Sequence, residues 1–162
     1  MATAKKSTKS RTSPTPKDAI AMLRADHKKV SDLFEQFEKS RSPSKKEALV
    51  AAICMELTVH TQLEEEIFYP AVKAALRDKE LVPEAIVEHA SVKALISQVQ
   101  EAEPGGEEYD AKMKVMSEYV KHHVKEEQNQ MFPKAKKTRL DMEALGAQMA
   151  TRKAELMDDG VR

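Results

Sequence analysis

The chain is poor in the residues that build aromatic cores, disulfides and tight turns. Its 162 residues include no Trp, three Tyr, four Phe, four Gly and one Cys. A single cysteine excludes an intrachain disulfide, which fits a reducing compartment. Cys54 falls on a helical apolar pattern, as expected of a buried and inert thiol. Any core must therefore be built mainly from Leu, Ile, Val, Ala and Met.

Long apolar runs are missing as well. No segment approaches the roughly 20 apolar residues that a membrane-spanning helix needs. The lysines near the N-terminus are not followed by an apolar stretch, so no secretory signal is expected. We therefore predict a cytoplasmic protein with no membrane partner.

Charge is balanced in total but unevenly distributed. Residues 1–17 carry five basic and no acidic side chains, whereas residues 18–162 carry 22 basic and 27 acidic ones. The acidic balance of the second part disfavours nucleic acid as a ligand of the folded domain. Residues 1–15 are rich in Lys, Ser, Thr and Pro without apolar periodicity, which predicts a disordered basic tail in solvent.

Ala, Leu, Glu, Lys and Met are abundant, which predicts an all-α protein. Thr15 and Pro16 have the chemistry of a helix start, and a first helix is expected to end before Pro43. Ser44 and Glu47 form a capping-box pattern that predicts the start of the second helix. Both helices carry apolar residues at spacings of three and four.

A third helix is predicted from about Pro83, with a buried stripe of Ile86, Val92, Ile96 and Val99. Residues 104–106 (PGG) break it, and a fourth helix runs to an end or kink at Pro133. Short connections predict an up-down-up-down four-helix bundle over residues 16–135. A further amphipathic helix over residues 138–158 either packs on the bundle or binds a partner.

The most informative feature is a two-fold internal repeat. Residues 60–70 (HTQLEEEIFYP) match residues 123–133 (HVKEEQNQMFP), and in both a Glu follows the His by four positions. A second pair lies upstream, where Asp26-His27 matches Glu88-His89. The spacing from the upstream to the downstream histidine is 33 residues in the first half and 34 in the second. The chain is thus predicted to contain two copies of one helical hairpin.

Ligand-type side chains in this repeat fall on the apolar helix faces and are predicted to point inward. A His and a Glu four residues apart lie side by side on a helix, about 5–6 Å apart at Cβ. His27 and His60 lie 16 and 17 residues from the turn at Pro43. The helical rise over these distances is about 24 and 26 Å, so the two histidines are expected at one level of the bundle. The predicted metal ligands are His27, His60, Glu64, His89, His123 and Glu127.

Energetics favour a cation among these residues. A single histidine on an apolar face is more often a hydrogen-bonded core residue than a ligand, but this set is matched twice and uses four of the five histidines. Two carboxylates buried at the same depth repel each other and need positive charge. We predict two metal ions, iron in the first place with Mn or Zn as alternatives. Six protein ligands for two ions leave positions open to a small molecule. No dedicated catalytic or other cofactor-binding residue is identified.

The order His, His-x-x-x-Glu, His, His-x-x-x-Glu, followed by Phe-Tyr-Pro, resembles the hemerythrin-like, or HHE cation-binding, family over about residues 18–133. The resemblance implies a four-helix bundle with a non-haem di-iron centre that binds oxygen, nitric oxide or peroxide, and residues 140–156 resemble an extra helix of some members. Oxygen-carrying hemerythrins have a fifth histidine one turn before the third-helix histidine, where this chain has Ala85. The resemblance therefore implies a more symmetric centre here. Tyr119, one turn before His123, is predicted to be a packed core residue, with a phenolate ligand as the alternative.

Three functions remain open on these grounds. The first is a di-iron module that binds or senses a diatomic molecule or peroxide. The second is a di-iron catalase or peroxidase, in which open metal positions take peroxide. The third is an iron-storage or purely structural bundle, with the basic tail and last helix engaging a partner.

Overall fold

A computed structural model of the protein describes residues 18–160. Helix α1 (Ala19–Lys39) begins after Asp18, whose carboxylate accepts a hydrogen bond from the Ala21 N–H at 2.8 Å. This bond satisfies one of the free amides of the first turn. The predicted start at Thr15 and the predicted tail over residues 1–15 lie outside the described residues.

Helix α2 (Pro43–Leu63) begins earlier than the capping-box pattern predicted. Ser42 caps it by accepting from the Lys45 N–H, so the assignment of Ser44 as the cap is wrong. Proline explains the difference, because its fixed φ angle suits the first helical position and its missing N–H leaves no donor unpaired there. Pro43 therefore sets the start of the helix one residue after Ser42.

The second hairpin consists of α4 (Leu81–Glu101) and α5 (Glu107–Glu126). Helix α4 begins before Pro83, and the Asp78 carboxylate accepts from the N–H groups of its first two residues, Leu81 and Val82. The predicted break at residues 104–106 is confirmed: Gly105 has a φ of 84°, a conformation that favours glycine.

Two π-helical segments continue the second helix of each hairpin. They span Glu64–Phe68 and Glu127–Met131, and they lead into α3 (Tyr69–Leu76) and α6 (Phe132–Lys136). In each, an N–H donates to a carbonyl five residues back, from Tyr69 to Glu64 and from Phe132 to Glu127. The predicted kink at Pro133 is thus a widened turn, and the helix continues three residues beyond the proline.

Proline accounts for both widened turns. Pro70 and Pro133 have no N–H, and a proline ring clashes with the carbonyl four residues earlier in a regular helix. Widening the helix to five-residue hydrogen bonds relieves that clash without ending the helix. Because each segment opens at the glutamate of the repeat, the proline six residues later shapes the backbone that carries Glu64 and Glu127.

The core lies in two apolar layers on either side of the repeat histidines. One layer includes Leu23, Leu63, Phe68, Met131 and Phe132, and the other includes Phe34, Ile53, Leu57, Ile96 and Met113. The prediction that Ile86 belongs to the core is wrong, since 42% of it is exposed. Helix α4 instead buries Ala85, so its inward stripe runs through Ala85, His89 and Val92.

Helix α7 (Met142–Gly160) packs on α1, α2 and the first π-helical segment. Leu145 and Met149 are buried in the same apolar layer as Leu23 and Phe68. Of the two alternatives for this helix, packing on the bundle and binding a partner, the structure shows the packing. The all-α bundle with an additional C-terminal helix is confirmed. Within residues 18–160, no helix has the length and apolarity to cross a membrane.

Candidate metal centre

The structure brings all six predicted ligand residues into one buried cluster. Helices α1 and α4 supply His27 and His89, and α2 and α5 supply His60 and His123 near their ends. The glutamates are the first residues of the two π-helical segments. Every one of the six side chains is at least nine-tenths buried: His27, His60, Glu64, His89, His123 and Glu127.

The cluster divides into two subsites that share a carboxylate. The first subsite comprises His27, His60, Glu64 and Glu127, and the second comprises Glu64, His89 and His123; in each group the ligand atoms lie within 4.8 Å of one another. The rings of His27 and His60 are 4.9 Å apart, and those of His89 and His123 are 4.8 Å apart. Each hairpin therefore contributes one pair of histidines.

Each glutamate contacts one histidine of each pair. Glu64 Oε1 lies 2.9 Å from His60 Nε2 and 3.3 Å from His89 Nε2. The oxygens of Glu127 lie 3.1 Å from His27 Nε2 and 3.2 Å from His123 Nε2. The two carboxylates thus stand between the histidine pairs and would be within reach of a metal ion held by either pair.

Unsatisfied polar atoms show that these residues suit a cation. Among the described residues, five of the six buried side-chain atoms without a hydrogen bond belong to the cluster: His27 Nε2, His60 Nε2, both oxygens of Glu64 and Glu127 Oε1. The short N–O distances between them lack the direction of a hydrogen bond. Leaving such atoms unpaired in a buried site costs about 1–3 kcal/mol each, more when charged. Divalent cations would satisfy these five atoms, so the donor set fits metal.

Polar side chains hold the outer nitrogens of the four histidines. Asp26 contacts His60 Nδ1 at 2.9 Å, and Glu88 contacts His123 Nδ1 at 3.2 Å. Glu65 and Gln128 contact the Nδ1 atoms of His89 and His27 at 3.4 and 2.9 Å. Such partners orient imidazole ligands and raise their basicity. His122, the fifth histidine, is exposed and belongs to neither subsite.

Tyr69 is the residue of the site that the sequence analysis missed. Its hydroxyl donates to Glu127 Oε2 at 2.5 Å and lies 3.2 Å from His89 Nε2 and 3.3 Å from His123 Nε2. Burial, with the charges of Glu64 and Glu127, raises the pKa of Tyr69 well above its usual value, so the metal-free site keeps the phenol protonated. The signal was present in the Phe-Tyr-Pro of the repeat.

Tyr119, by contrast, was predicted to be in the core and is not. Half of its surface is exposed, so both the core packing and the alternative phenolate ligand are wrong. Helix α5 turns His123 and Met116 inward, which leaves Tyr119 on the outer side of the helix. A position four residues from a buried histidine is therefore not sufficient to place a side chain in the site.

Helix α7 reaches the first subsite through two ion pairs. Lys153 Nζ lies 2.8 Å from Asp26, the carboxylate that contacts His60. Arg152 donates to Glu66, a residue of the first π-helical segment, at 2.8 Å. The C-terminal helix thereby covers the apolar layer below the site and also fixes two groups next to ligand residues.

A small cavity of about 20 Å³ lies against the cluster. All four ligand histidines line it, and its other walls are largely aliphatic, with Val30, Leu57, Val92 and Val120. A space of this size has room for about one water-sized molecule. The cavity therefore admits a small uncharged molecule beside the histidines and excludes larger organic ligands.

Neighbouring carboxylates change the proton affinity of two ligand histidines. Burial alone lowers the pKa of His123, but Glu127 and Glu64 outweigh burial and raise it to about 9. For His60 burial likewise opposes the charged ring, and Glu64 with Asp26 raises its pKa well above 6.5. At neutral pH the metal-free cluster therefore holds protons where a metal ion would bind.

We expect metal affinity to rise with pH as a consequence. A cation must displace the protons of His60 and His123, and each displaced proton makes the affinity about tenfold stronger per pH unit. Protonation of His123 stabilises the metal-free fold fully below pH 6.5, and this contribution is lost as pH rises through about 9. Calorimetric titration with Zn²⁺ at pH 6.5, 7.25 and 8 measures the slope.

Comparison of buffers with different ionisation enthalpies provides the control, because released protons then change the measured heat of binding. A metal affinity that stays constant over this pH range, with no proton release, would contradict the assignment of charged histidines to the metal-free site.

Comparisons with known proteins agree with this arrangement. The family described as Hemerythrin HHE cation binding domain matches residues 18–135. A curated relative, a DNA nickase from Nostoc sp. (strain PCC 7120 / SAG 25.82 / UTEX 2576), is 29% identical over 111 residues, or 68% of this chain. The match covers 31% of that protein, so the chain spans under a third of its length.

A solved structure shares the fold. It is a hemerythrin HHE cation binding domain-containing protein from Mycobacterium kansasii, with a TM-score of 0.76 and 24% sequence identity. The superposition covers 89% of this chain and 90% of that one. With the family match over residues 18–135 and the His and Glu cluster at the centre of the helices, the chain belongs to the hemerythrin HHE cation binding domain family.

Proposed function

We propose that this chain binds two iron ions through His27, His60, Glu64, His89, His123 and Glu127 and uses them to bind a diatomic molecule or peroxide. The observation that carries the proposal is the convergence of five unsatisfied, buried ligand atoms beside a small aliphatic cavity. The ions supply the positive charge that the two carboxylates need, and the cavity supplies the space for the small molecule.

Iron suits this donor set. Six residues shared between two ions leave positions open, unlike the closed four-ligand arrangement of structural zinc sites. Histidine and carboxylate ligands with open positions are typical of non-haem iron, which when bound supplies reversible redox chemistry. Elemental analysis of purified protein should find close to two irons per chain, and a majority of Mn or Zn would replace iron in the proposal.

Cavity size favours oxygen, nitric oxide or peroxide over larger ligands. The space of about 20 Å³ lies directly against the four histidines, so its occupant would reach the ions. Apart from the histidines, Asp26 is the one charged side chain that lines the cavity, and it is already paired with His60 and Lys153, which favours an uncharged molecule. The Tyr69 hydroxyl does not line the cavity; it lies beside His89 and His123 and donates to Glu127.

A larger side chain in the cavity tests whether the small molecule binds there. Val92 is buried and lines the cavity, so Val92→Leu adds a methylene group that takes most of the free space. We expect this variant to keep two irons but to bind nitric oxide at least about tenfold more weakly, on the scale of a 1.4 kcal/mol loss. Optical titration of the reduced, iron-loaded protein with nitric oxide measures the affinity.

Val87→Leu is the matched control, since Val87 lies on the same helix and is 67% exposed. It should leave the nitric oxide affinity unchanged. If both variants bind nitric oxide like the parent chain, the cavity is not the ligand site. If the parent chain shows no spectral response to oxygen, nitric oxide or peroxide, the function itself is refuted.

Peroxide breakdown is the second candidate, and Tyr69 is the observation in its favour. The overall reaction, two H₂O₂ giving O₂ and two H₂O, moves protons between oxygens, and a phenol beside Glu127 provides a place to hold one. Oxygen release from peroxide should fall strongly in His60→Ala and stay unchanged in His122→Ala, a surface control. Equal rates in all three proteins would exclude this activity.

We propose a small molecule, and not nucleic acid, as the partner of the folded part. Residues 18–162 carry 27 acidic and 22 basic side chains, a balance that repels phosphate backbones. The DNA nickase from Nostoc is matched over 31% of its length, and the rest of that protein has no counterpart in the match. An electrophoretic mobility assay with plasmid and short duplex DNA should show no complex with residues 18–162.

A further inference from the structure

The two histidine pairs of the metal centre have different outer partners. In each hairpin, the residue before the first histidine contacts the second histidine: Asp26 contacts His60, and Glu88 contacts His123. The residue after each glutamate contacts the histidine of the other hairpin: Glu65 contacts His89, and Gln128 contacts His27. Three of these partners are carboxylates, and the partner of His27 is an amide.

An amide does not prepare a histidine for metal in the way a carboxylate does. An ionised carboxylate can only accept a hydrogen bond, so it holds a proton on Nδ1 and directs a metal ion to Nε2. Gln128 lies 2.9 Å from His27 Nδ1, and its neutral amide can either donate or accept. It therefore neither fixes the proton on Nδ1 nor adds the negative charge that raises the basicity of a ligand imidazole.

The charged groups around the two subsites also favour metal binding at the second subsite. Behind the second subsite, Glu65 and Glu88 face one lysine, Lys93, which lies 2.6 Å from Glu65. Behind the first subsite, Asp26 is the single outer carboxylate and pairs with Lys153 at 2.8 Å. The second subsite thus has one more net negative charge in its surroundings, which favours a cation there.

A third difference lies in the aromatic positions of the repeat. Tyr69 and Phe132 occupy equivalent positions, one before the proline of each repeat. The Tyr69 hydroxyl lies within 3.3 Å of Nε2 of His89 and His123, whereas the Phe132 ring stacks on His27 with centroids 6.0 Å apart. The second subsite therefore has an additional oxygen, and the first has an apolar face.

We propose that the two metal ions bind with unequal affinity, the His89–His123 subsite filling first, and that Gln128 is the positioning residue that sets the difference. This inference rests on the proposed two-ion centre. Outer partners of metal-bound histidines change metal affinity by about 10- to 100-fold, which is the expected separation of the two binding steps.

Calorimetric titration of the metal-free full-length chain with Zn²⁺ tests the separation. The parent chain should show two steps whose dissociation constants differ by about 10- to 100-fold. Gln128→Glu should strengthen the weaker step by about tenfold and bring the steps together, and Glu65→Gln should weaken the tighter one. Gln130→Glu is the control, because it adds the same charge at an exposed position of the same π-helical segment. It should leave both steps unchanged.

Nitrogen NMR of ¹⁵N-histidine protein identifies the subsite that fills first, because zinc moves the Nε2 resonance of a coordinated ring. One equivalent of Zn²⁺ should shift the signals of His89 and His123 and leave those of His27 and His60 in place. Two ions bound with one affinity, first filling of the His27–His60 pair, or equal effects of Gln128→Glu and Gln130→Glu would each overturn the inference while leaving the two-ion centre intact. Binding of no metal at all would refute both.

Discussion

Replacing Glu64 with Gln should remove both metal ions from the protein. Glu64 is fully buried, belongs to both subsites and contacts one histidine of each hairpin. Glutamine keeps the shape of the side chain but removes the negative charge that offsets the cations. We expect the metal affinity to fall by more than about 100-fold, beyond the loss caused by removing an outer partner. Metal content per chain, measured by elemental analysis after dialysis, should drop from about two ions to well under one.

Glu126→Gln is the matched control for this loss. Glu126 is next to the ligand Glu127, but it faces outward and pairs with exposed His122 at 3.2 Å. The control variant should keep its metal. Circular dichroism should show the same helical content in both variants, because Gln at position 64 fills the space of Glu. Retention of two ions by Glu64→Gln would remove Glu64 from the ligand set.

Removing metal from the parent chain should lower its melting temperature by at least about 10 °C. Ions that bind only the folded state stabilise it by about 4 kcal/mol when their concentration is a thousandfold above the dissociation constant. For a chain of this size each kcal/mol corresponds to about 2–4 °C. The metal-free cluster has little compensation, since five buried ligand atoms then have no partner. Scanning calorimetry before and after chelation measures the difference.

Re-addition of one metal at a time provides the control for damage by the chelator. Full recovery of the melting temperature on adding Fe²⁺ or Zn²⁺ ties the loss to the site. A melting temperature that changes neither on chelation nor on re-addition of metal would indicate that the polar cluster is stable without a cation. The structural-bundle alternative would then be preferred.

The repeat explains why the ligand residues could be located before any coordinates. His and Glu four residues apart lie on one helix face whatever the tertiary structure, and the apolar residues around them define which face is inward. The helical rise from the turn at Pro43 is nearly the same to His27 and to His60, which places them at one level of the bundle. Each of these arguments uses only distances along one helix or across one hairpin, where the geometry of a helix is enough.

Residues that act across helices could not be located in this way. Tyr69 reaches His123 over 54 positions, and Gln128 reaches His27 over 101. Such contacts depend on how the two hairpins are rotated about each other. The same rotation explains the wrong prediction for Ile86, since a change of one position on the helix surface exposes Ile86 and buries Ala85.

Sequence alone determined the helical class of this protein, its two-fold hairpin repeat and the six side chains with ligand chemistry, because these follow from local spacing and from the cost of burying charge. Tertiary structure alone decided which groups surround the ligands: the Tyr69 hydroxyl, the outer partners of the histidines, the packing of α7 and the small cavity. These depend on the relative rotation of helices that are far apart in the chain, and no periodicity within one helix encodes that rotation.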